Sequence, residues 1–205
     1  TDRNGKLAGN FSGLANWASR RGNGLTRPLL EKVAGVHRDA ELPKYHGRTF
    51  DQLPAPGVNR QAPANGRKAA LYATCFVNYN NPGIGAAARA VLAQNGVETE
   101  IAYPGCCGMP QLEQGDIERV AAGAKSIAAD LVRWIDKGHD IIALVPSCAL
   151  MMKFEWPLIV PDDENVKRLS QAVFDISEYV VDISRNEGLA PGLEPLGGGV
   201  SLHFA

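Results

Sequence analysis

The stretch DIIALVPSC, residues 140–148, decides the fold class, because it joins a predicted buried strand to a cysteine. Residues 140–145 are apolar after the first position and rich in β-branched side chains, which predicts a strand covered by helices on both faces. Just before it, residues 116–136 carry apolar side chains at helical spacing, and Gly138 ends that helix. A long helix followed by a buried strand indicates a parallel sheet with helical crossovers.

The same alternation of strands and helices extends over residues 69–205. Further strands are predicted at 69–75, 97–103 and 200–204, and further helices at 84–95, 149–156, 162–172 and 176–186. Right-handed crossovers between parallel strands place the helices on both faces of the sheet. We therefore expect an α/β domain with a parallel, Rossmann-like layered sheet.

Residues 1–68 lack this regular alternation. Residues 1–51 are predicted to form an N-terminal helical arm with two short helices, the second capped by Thr26 and ended by Gly35. Residues 52–68 hold three Pro and two Gly without apolar periodicity, which is typical of a linker. The predicted organisation is an arm, a linker and one α/β domain over 69–205.

The composition is that of a folded globular protein, with 45% hydrophobic and 21% charged residues among 205. It excludes a disordered tail, a collagen-like rod and a small disulfide scaffold. The longest uncharged apolar run, residues 141–145, is too short to cross a bilayer, and residues 1–4 show no signal-peptide core. These features predict a cytoplasmic protein.

Charge is distributed unevenly along the chain. Residues 1–68 carry 12 Lys and Arg against 5 Asp and Glu, whereas residues 69–205 carry 9 against 17. Such a basic arm could bind an anionic membrane surface, or it could dock on the acidic domain or a neighbouring protein. Nucleic acid is not an expected partner, because the basic residues are scattered and have no aromatic stacking set among them.

Each cysteine follows a predicted strand. Cys75 comes after the first strand, Cys106 and Cys107 after the second, and Cys148 after the third. The carboxyl ends of parallel strands share one edge of an open α/β sheet, and binding sites form there. We therefore expect four thiols from three separate segments to meet at that edge.

The residues alone leave several interpretations of these thiols open. Disulfides are disfavoured in a reducing compartment, and the adjacent pair could join only through a strained ring. Buried unreactive thiols are common in cores, although Gly105 and Gly108 indicate tightly shaped loops. Four thiolates suit an iron–sulfur cluster or zinc, and the paired knuckles usual for zinc are missing. A metal centre, iron–sulfur before zinc, is the preferred interpretation.

Two further residues are candidates for a supporting role near the thiols. His203 ends the predicted strand 200–204, where it could donate a hydrogen bond, replace a missing cysteine ligand or be an ordinary strand residue. Met151 follows Cys148 by three positions and is more often a gap-filler than a ligand. No nucleotide-binding glycine motif and no Ser-His-Asp order is recognised, so no catalytic residue is predicted.

Cys75, the doublet Cys106-Cys107-Gly108 and Cys148 resemble one copy of the cysteine-rich CCG module. The module occurs in the B subunit of heterodisulfide reductase and in the iron–sulfur subunits of glycolate oxidase, lactate-utilisation enzymes and anaerobic glycerol-3-phosphate dehydrogenase. The residues at 75–82, 106–110, 145–151 and 174–179 are similar in particular to the C subunit of the last of these.

The resemblance implies an electron-transfer subunit of an oxidoreductase rather than a substrate site. A flavin-containing dehydrogenase subunit would oxidise glycerol 3-phosphate or a small hydroxy acid, and electrons would pass towards quinone, on the inner face of the cytoplasmic membrane. Cys75, Cys106, Cys107 and Cys148 would ligate one iron–sulfur cluster, expected to be 4Fe-4S, with Gly105 and Gly108 close to the sulfurs. The alternatives are disulfide reduction at a cluster, as in heterodisulfide reductase, and an assembly module that holds zinc or no metal.

The sequence also departs from the family pattern. The family motif often ends in Cys-x-x-Cys, and here the second position is Met151, so one ligand of a five-cysteine non-cubane cluster is missing. The ferredoxin-like segment and the second CCG copy of the relatives are missing too. We therefore expect an internal piece of a longer protein, truncated at the end of its α/β domain, whose partners include those segments.

Overall fold

Four short parallel strands form the centre of the computed structural model, which describes residues 2–192, 194, 197–199 and 201. The strands are β1 (Lys68–Tyr72), β2 (Glu98–Ala102), β3 (Asp140–Ala143) and β4 (Val173–Asp175). They pair in the order β2-β1-β3-β4, and every pair is parallel. The α/β class and the parallel sheet expected from the sequence are confirmed.

Helices connect the strands and form the N-terminal part of the chain. They are α1 (Asp2–Asn10), α2 (Ser12–Ser19), α3 (Thr26–Ala34), α4 (Cys75–Tyr79), α5 (Pro82–Gln94), α6 (Met109–Leu112), α7 (Ile117–Ile135), α8 (Pro146–Leu150), α9 (Trp156–Ile159), α10 (Glu164–Ala172) and α11 (Ile176–Asn186). A 3₁₀ turn covers Phe50–Gln52, and a π-helix, Met151–Glu155, joins α8 to α9. Within the described ranges, no helix is both long and apolar enough to span a membrane.

The sheet is buried on both faces, as the run of apolar residues in β3 predicts. Side chains of β1 alternate between the two sides: Ala70 and Tyr72 belong to a core with α7, α9 and α10, whereas Ala69 and Leu71 belong to a core with α5 and α11. Leu131 of α7 is fully buried in the first core. Burial of such a side chain contributes roughly 1.5–3 kcal/mol, so these layers fix the sheet between the helices.

The fourth strand differs from the expectation. The predicted strand at 200–204 lies, apart from residue 201, outside the residues that the structure describes. The observed β4 is a three-residue strand between α10 and α11, and it pairs with β3 through Val173 and Ile141. Three residues are too few to show a recognisable alternation, so this strand is not visible as a pattern in the sequence.

The N-terminal part packs against the sheet and its helices. Phe50 is fully buried in the core that contains α5, and its ring occupies the space that a Cβ at Gly85 would need. The segment predicted as a linker is also held in place, because the Asn59 amide donates to the Ala93 carbonyl over 2.9 Å and Ala64 is buried. The division into arm, linker and domain stays a prediction.

The arm itself contains three helices where two were expected. The C-terminal end of α3 is as predicted, because Gly35 takes the left-handed conformation with φ +67 and its amide donates to the Glu31 carbonyl. The other end differs: Thr26 is the first residue of the helix, Leu25 holds the N-cap position without a side-chain cap, and the Asn23 side chain accepts from the amides of Leu25 and Thr26.

A candidate metal centre of four thiols

The loops that carry the cysteines leave the sheet at the same level. Tyr72 of β1 is in register with Ala102 of β2 and with Ala143 of β3, and these are the last residues of their strands. Because parallel strands end at a common edge, the three following segments begin side by side. This edge is where the sequence predicts the thiols to meet.

Cys75 opens a short helix directly after the first strand. The turn into α4 is made by Thr74, whose φ of +40 is the only positive value at a non-glycine position in the described part of the chain. The Thr74 hydroxyl accepts a hydrogen bond from the Val77 amide over 3.1 Å, which caps the helix. The helix N-terminus and the strained turn together place Cys75 at the sheet edge.

Gly108 turns the loop that carries the cysteine doublet. Its φ is +90, a left-handed conformation that favours glycine, and α6 begins at the next residue. A Cβ at Gly108 would lie 3.5 Å from a methyl of Val120, so the loop runs directly over α7. Gly105 does not have a positive φ, and a Cβ there would lie 3.5 Å from Ile127, an ordinary van der Waals distance.

Cys148 lies inside a helix rather than ahead of one. The expected helix at 149–156 begins earlier, because α8 starts at Pro146, and the Cys148 amide already donates to the Val145 carbonyl over 3.0 Å. Proline suits the first helical turn, where its missing N–H is not needed. The thiol of Cys148 therefore projects from the first turn of this helical segment.

The four cysteines form no disulfide, and their thiols lie next to one another in two pairs. The Sγ atoms of Cys75 and Cys106 are 3.8 Å apart, and the Cys107 thiol donates to the Cys148 sulfur over 3.2 Å. The Cys106 and Cys107 thiols also interact, so the pairs are connected. Cys107 and Cys148 are buried, whereas Cys75 and Cys106 are half-buried. The structure thus brings all four predicted residues together.

The Cys107 thiol is held in its protonated form. Hydrogen bonds with the thiols of Cys106 and Cys148, together with burial, raise the pKa of Cys107 well above its ordinary value. Metal ligation needs thiolates, so binding of a metal ion at this site would have to displace these protons.

The spacing of the Cys107 and Cys148 sulfurs is that of thiols rather than of ligands. Two thiolates on one tetrahedral zinc ion lie about 3.8 Å apart, given a Zn–S distance of about 2.3 Å. The 3.2 Å between Cys107 and Cys148 is shorter and belongs to a thiol–thiol hydrogen bond. Accordingly, no group of three or more His, Cys, Asp or Glu side chains within the described ranges is disposed to hold a metal ion. Metal binding would require the sulfurs to separate.

Two buried aromatic side chains at the site are not found by sequence reasoning. The Tyr72 hydroxyl donates a hydrogen bond to the Gly105 carbonyl, and Trp156 Nε1 donates to the Cys107 carbonyl over 3.1 Å. Trp156 also fills the core on this side of the sheet. No local pattern could reveal these bonds, because they join residues 33 and 49 positions apart.

Of the two candidate supporting residues, the structure describes only Met151. Met151 is fully buried, and its terminal methyl lies 3.9 Å from the position that a Cβ at Gly108 would occupy, so it packs beneath the doublet loop. His203 lies outside the residues that the structure describes.

The structure thus has thiols from three loops at the carboxyl edge of a helix-covered parallel sheet. Residues 69–153 match the family described as "CCG: Cysteine-rich domain", and the resemblance to that family stated from the sequence is confirmed. The matched segment begins in β1, ends in the π-helix and includes all four cysteines.

Curated relatives that are longer than this chain are similar to part of it. The C subunit of anaerobic glycerol-3-phosphate dehydrogenase from Escherichia coli is 26% identical over 167 residues, which are 80% of this chain and 41% of the relative. Lactate utilization protein A of Bacillus pumilus is 26% identical over 121 residues, 57% of this chain and 49% of the relative. The chain thus spans between two fifths and one half of the length of these relatives. No solved structure gives a significant match to the chain.

Proposed function

We propose that this chain is the cluster-binding, electron-transfer part of an iron–sulfur subunit in an oxidoreductase complex. The observation that carries the proposal is the convergence of four thiols from three loops at one edge of the sheet. The names of the relatives, a dehydrogenase subunit and a lactate utilization protein, associate this segment with oxidoreductases.

The chemistry of the donor set fits an iron–sulfur cluster. Cys75, Cys106, Cys107 and Cys148 offer four soft sulfur ligands, the number that one 4Fe-4S cluster takes. When bound, such a cluster takes up and releases single electrons.

The residues of the chain would also influence a bound cluster through their burial and their hydrogen bonds. The burial of Cys107 and Cys148 keeps water away from half of the ligand set, which tunes the potential of a bound cluster. Loss of the thiol protons on metal binding removes the hydrogen bond between Cys107 and Cys148, and with it the reason for their close approach.

The partners that we propose follow from the relatives and not from any contact in the chain. A flavin-containing dehydrogenase subunit would oxidise glycerol 3-phosphate or a small hydroxy acid and would pass electrons to this site. The electrons would continue towards quinone at the inner face of the cytoplasmic membrane, through a ferredoxin-like segment and a second CCG segment of the same polypeptide.

Zinc is the second candidate, because one distance favours it. The 3.8 Å between the sulfurs of Cys75 and Cys106 equals the spacing of about 3.8 Å expected for two thiolates on one zinc ion. The shorter distance between Cys107 and Cys148 does not match that spacing. A zinc centre would be structural and would carry no electrons.

Anaerobic reconstitution tests the proposal. The chain is incubated with iron and sulfide under reducing conditions, and bound iron, acid-labile sulfide, zinc and the electron paramagnetic resonance spectrum are measured. We expect about four irons and four sulfides per chain, a brown colour and a spectrum that Cys106→Ser and Cys148→Ser abolish. Ser147→Ala, next to Cys148 in the same helix, serves as the matched control and should keep the full iron content. One zinc ion per chain with no bound iron would refute the proposal.

A further inference from the structure

Two carbonyl groups of the doublet loop, residues 105–108, are held by buried donors. The Gly105 carbonyl accepts from the Tyr72 hydroxyl, and the Cys107 carbonyl accepts from Trp156 Nε1. These carbonyls belong to the peptide units 105–106 and 107–108, so they lie on either side of the two cysteines. Fixing both peptide planes restricts the directions in which the Cys106 and Cys107 side chains can leave the backbone.

Tyr72 holds the loop from the sheet. It is the last residue of β1 and is fully buried, so water cannot replace its hydrogen bond. The hydroxyl donates to the Gly105 carbonyl.

Trp156 holds the loop from the helix layer. In a regular α-helix each residue turns by about 100°, so Trp156, eight residues after Cys148, would point roughly 80° away from it. The hydrogen bonds of a π-helix run from i to i+5, so it turns less per residue than an α-helix. The π-helix Met151–Glu155 between them thus rotates Trp156 back towards the side of Cys148, where its indole reaches the Cys107 carbonyl.

The two donors come from different layers and meet on one loop. Each serves a carbonyl that lies outside the sheet and helix hydrogen bonding, and each ring is fully buried. Loss of the indole donor would leave the carbonyl of the buried Cys107 without a partner, which costs far more than loss of an exposed bond, and loss of the phenol would free the half-buried Gly105 carbonyl. The loop would then move to find another partner, and the cysteines would move with it.

We propose that Tyr72 and Trp156 are positioning residues that clamp the doublet loop and aim the Cys106 and Cys107 thiols at the common site. The clamp rests on the proposed function for its purpose, since it presents two ligands of the proposed cluster. Its geometry exists in the chain without any metal, and so it can be tested without one.

The test measures thiol reactivity in the reduced, metal-free chain. Iodoacetamide modification of Cys107 is followed by tandem mass spectrometry in wild type, Tyr72→Phe and Trp156→Phe. We expect the rate at Cys107 to rise about tenfold in both variants, the factor typical for loss of a buried hydrogen bond. Tyr72→Phe removes only the hydroxyl, so it keeps the packing even if Trp156→Phe lowers stability too far for the measurement.

Tyr179→Phe is the matched control. Tyr179 is also fully buried, and its hydroxyl donates to Asp140 at the opposite, amino end of β3 over 2.7 Å. We expect a comparable loss of thermal stability in this variant and no change in the Cys107 rate. Equal Cys107 rates in Tyr72→Phe and Tyr179→Phe would overturn the clamp, because the hydroxyl would then be only a stabilising group.

A second readout separates the clamp from the proposed function. After reconstitution with iron and sulfide, the midpoint potential of Tyr72→Phe should differ from that of wild type, whereas that of Tyr179→Phe should not. A wild-type chain that binds no iron would refute the proposed function, and a raised Cys107 rate in Tyr72→Phe would still support the clamp. Iron binding with an unchanged Cys107 rate in Tyr72→Phe would refute the clamp alone.

Discussion

Replacement of Gly108 by alanine separates backbone strain from the function of the doublet loop. Gly108 has φ +90 and ψ 4, and an L-residue in the left-handed region costs roughly 1–2 kcal/mol. The new Cβ would lie 3.5 Å from Val120, an ordinary contact that adds little. We therefore expect Gly108→Ala to lower the free energy of unfolding by about 1–2 kcal/mol, measured by urea denaturation with circular dichroism.

Gly115→Ala provides the matched comparison. Gly115 also has a positive φ, of +76, it follows α6 on the other side, and a Cβ there meets nothing within 4 Å. We expect the same loss of stability as in Gly108→Ala. The two should differ in iron content after anaerobic reconstitution: relaxation of φ at Gly108 shifts the adjacent Cys107, whereas relaxation at Gly115 shifts no cysteine.

Two results would refute this reasoning. If Gly108→Ala kept the stability of wild type, an alanine could take the left-handed conformation without cost, and the loop would not be constrained as described. If Gly115→Ala lost as much iron as Gly108→Ala, iron retention would depend on overall stability rather than on the position of the doublet.

Three further predictions concern the fold that supports the site. Leu131→Ala should lower the free energy of unfolding by about 2–5 kcal/mol, because Leu131 is fully buried; a loss under about 1 kcal/mol in urea denaturation would contradict its place in the core. Thr74→Ala should cost about 1 kcal/mol through loss of the hydrogen bond to the Val77 amide, and unchanged stability would show that α4 needs no cap. The ion pair with Lys153 lowers the pKa of Glu178. The stabilisation of the folded state by this ion pair is therefore complete above the unfolded pKa of about 4.3, and it disappears as the pH falls through the folded pKa. Because Glu178 is half-exposed, Glu178→Gln should lower the free energy of unfolding by less than about 1 kcal/mol at neutral pH. This difference from wild type should shrink on acidification, and a difference that grows as the pH falls would contradict the lowered pKa of Glu178.

Much of the domain follows from short-range patterns. The apolar stripe of α7 and the apolar run of β3 are visible in the sequence because the same side-chain spacing recurs over enough residues to exclude chance. The positions of the cysteines follow from topology, since residues just after parallel strands must lie at one edge of the sheet. The convergence of the thiols could therefore be predicted from the sequence alone.

The features that could not be predicted depend on contacts between distant residues. The three-residue β4 forms only because β3 offers a free edge to pair with, and nothing in Val173–Asp175 alone distinguishes it from a loop. Phe50 belongs to the predicted arm but is buried in a core that residues of the α/β domain, such as Leu71 and Leu92, form. The hydrogen bonds of Tyr72 and Trp156 likewise depend on how the layers pack, and side-chain type alone does not specify them.

The most direct test of the central claim asks whether the four thiols share one centre. The chain reconstituted with iron and sulfide is treated anaerobically with iodoacetamide, and the modification of each cysteine is measured by mass spectrometry before and after removal of the iron by a chelator. We expect the four thiols to be protected together and to become reactive together, although Cys75 and Cys106 are the more exposed pair. A Cys75 or Cys148 that reacts equally fast with and without bound iron would contradict the shared centre.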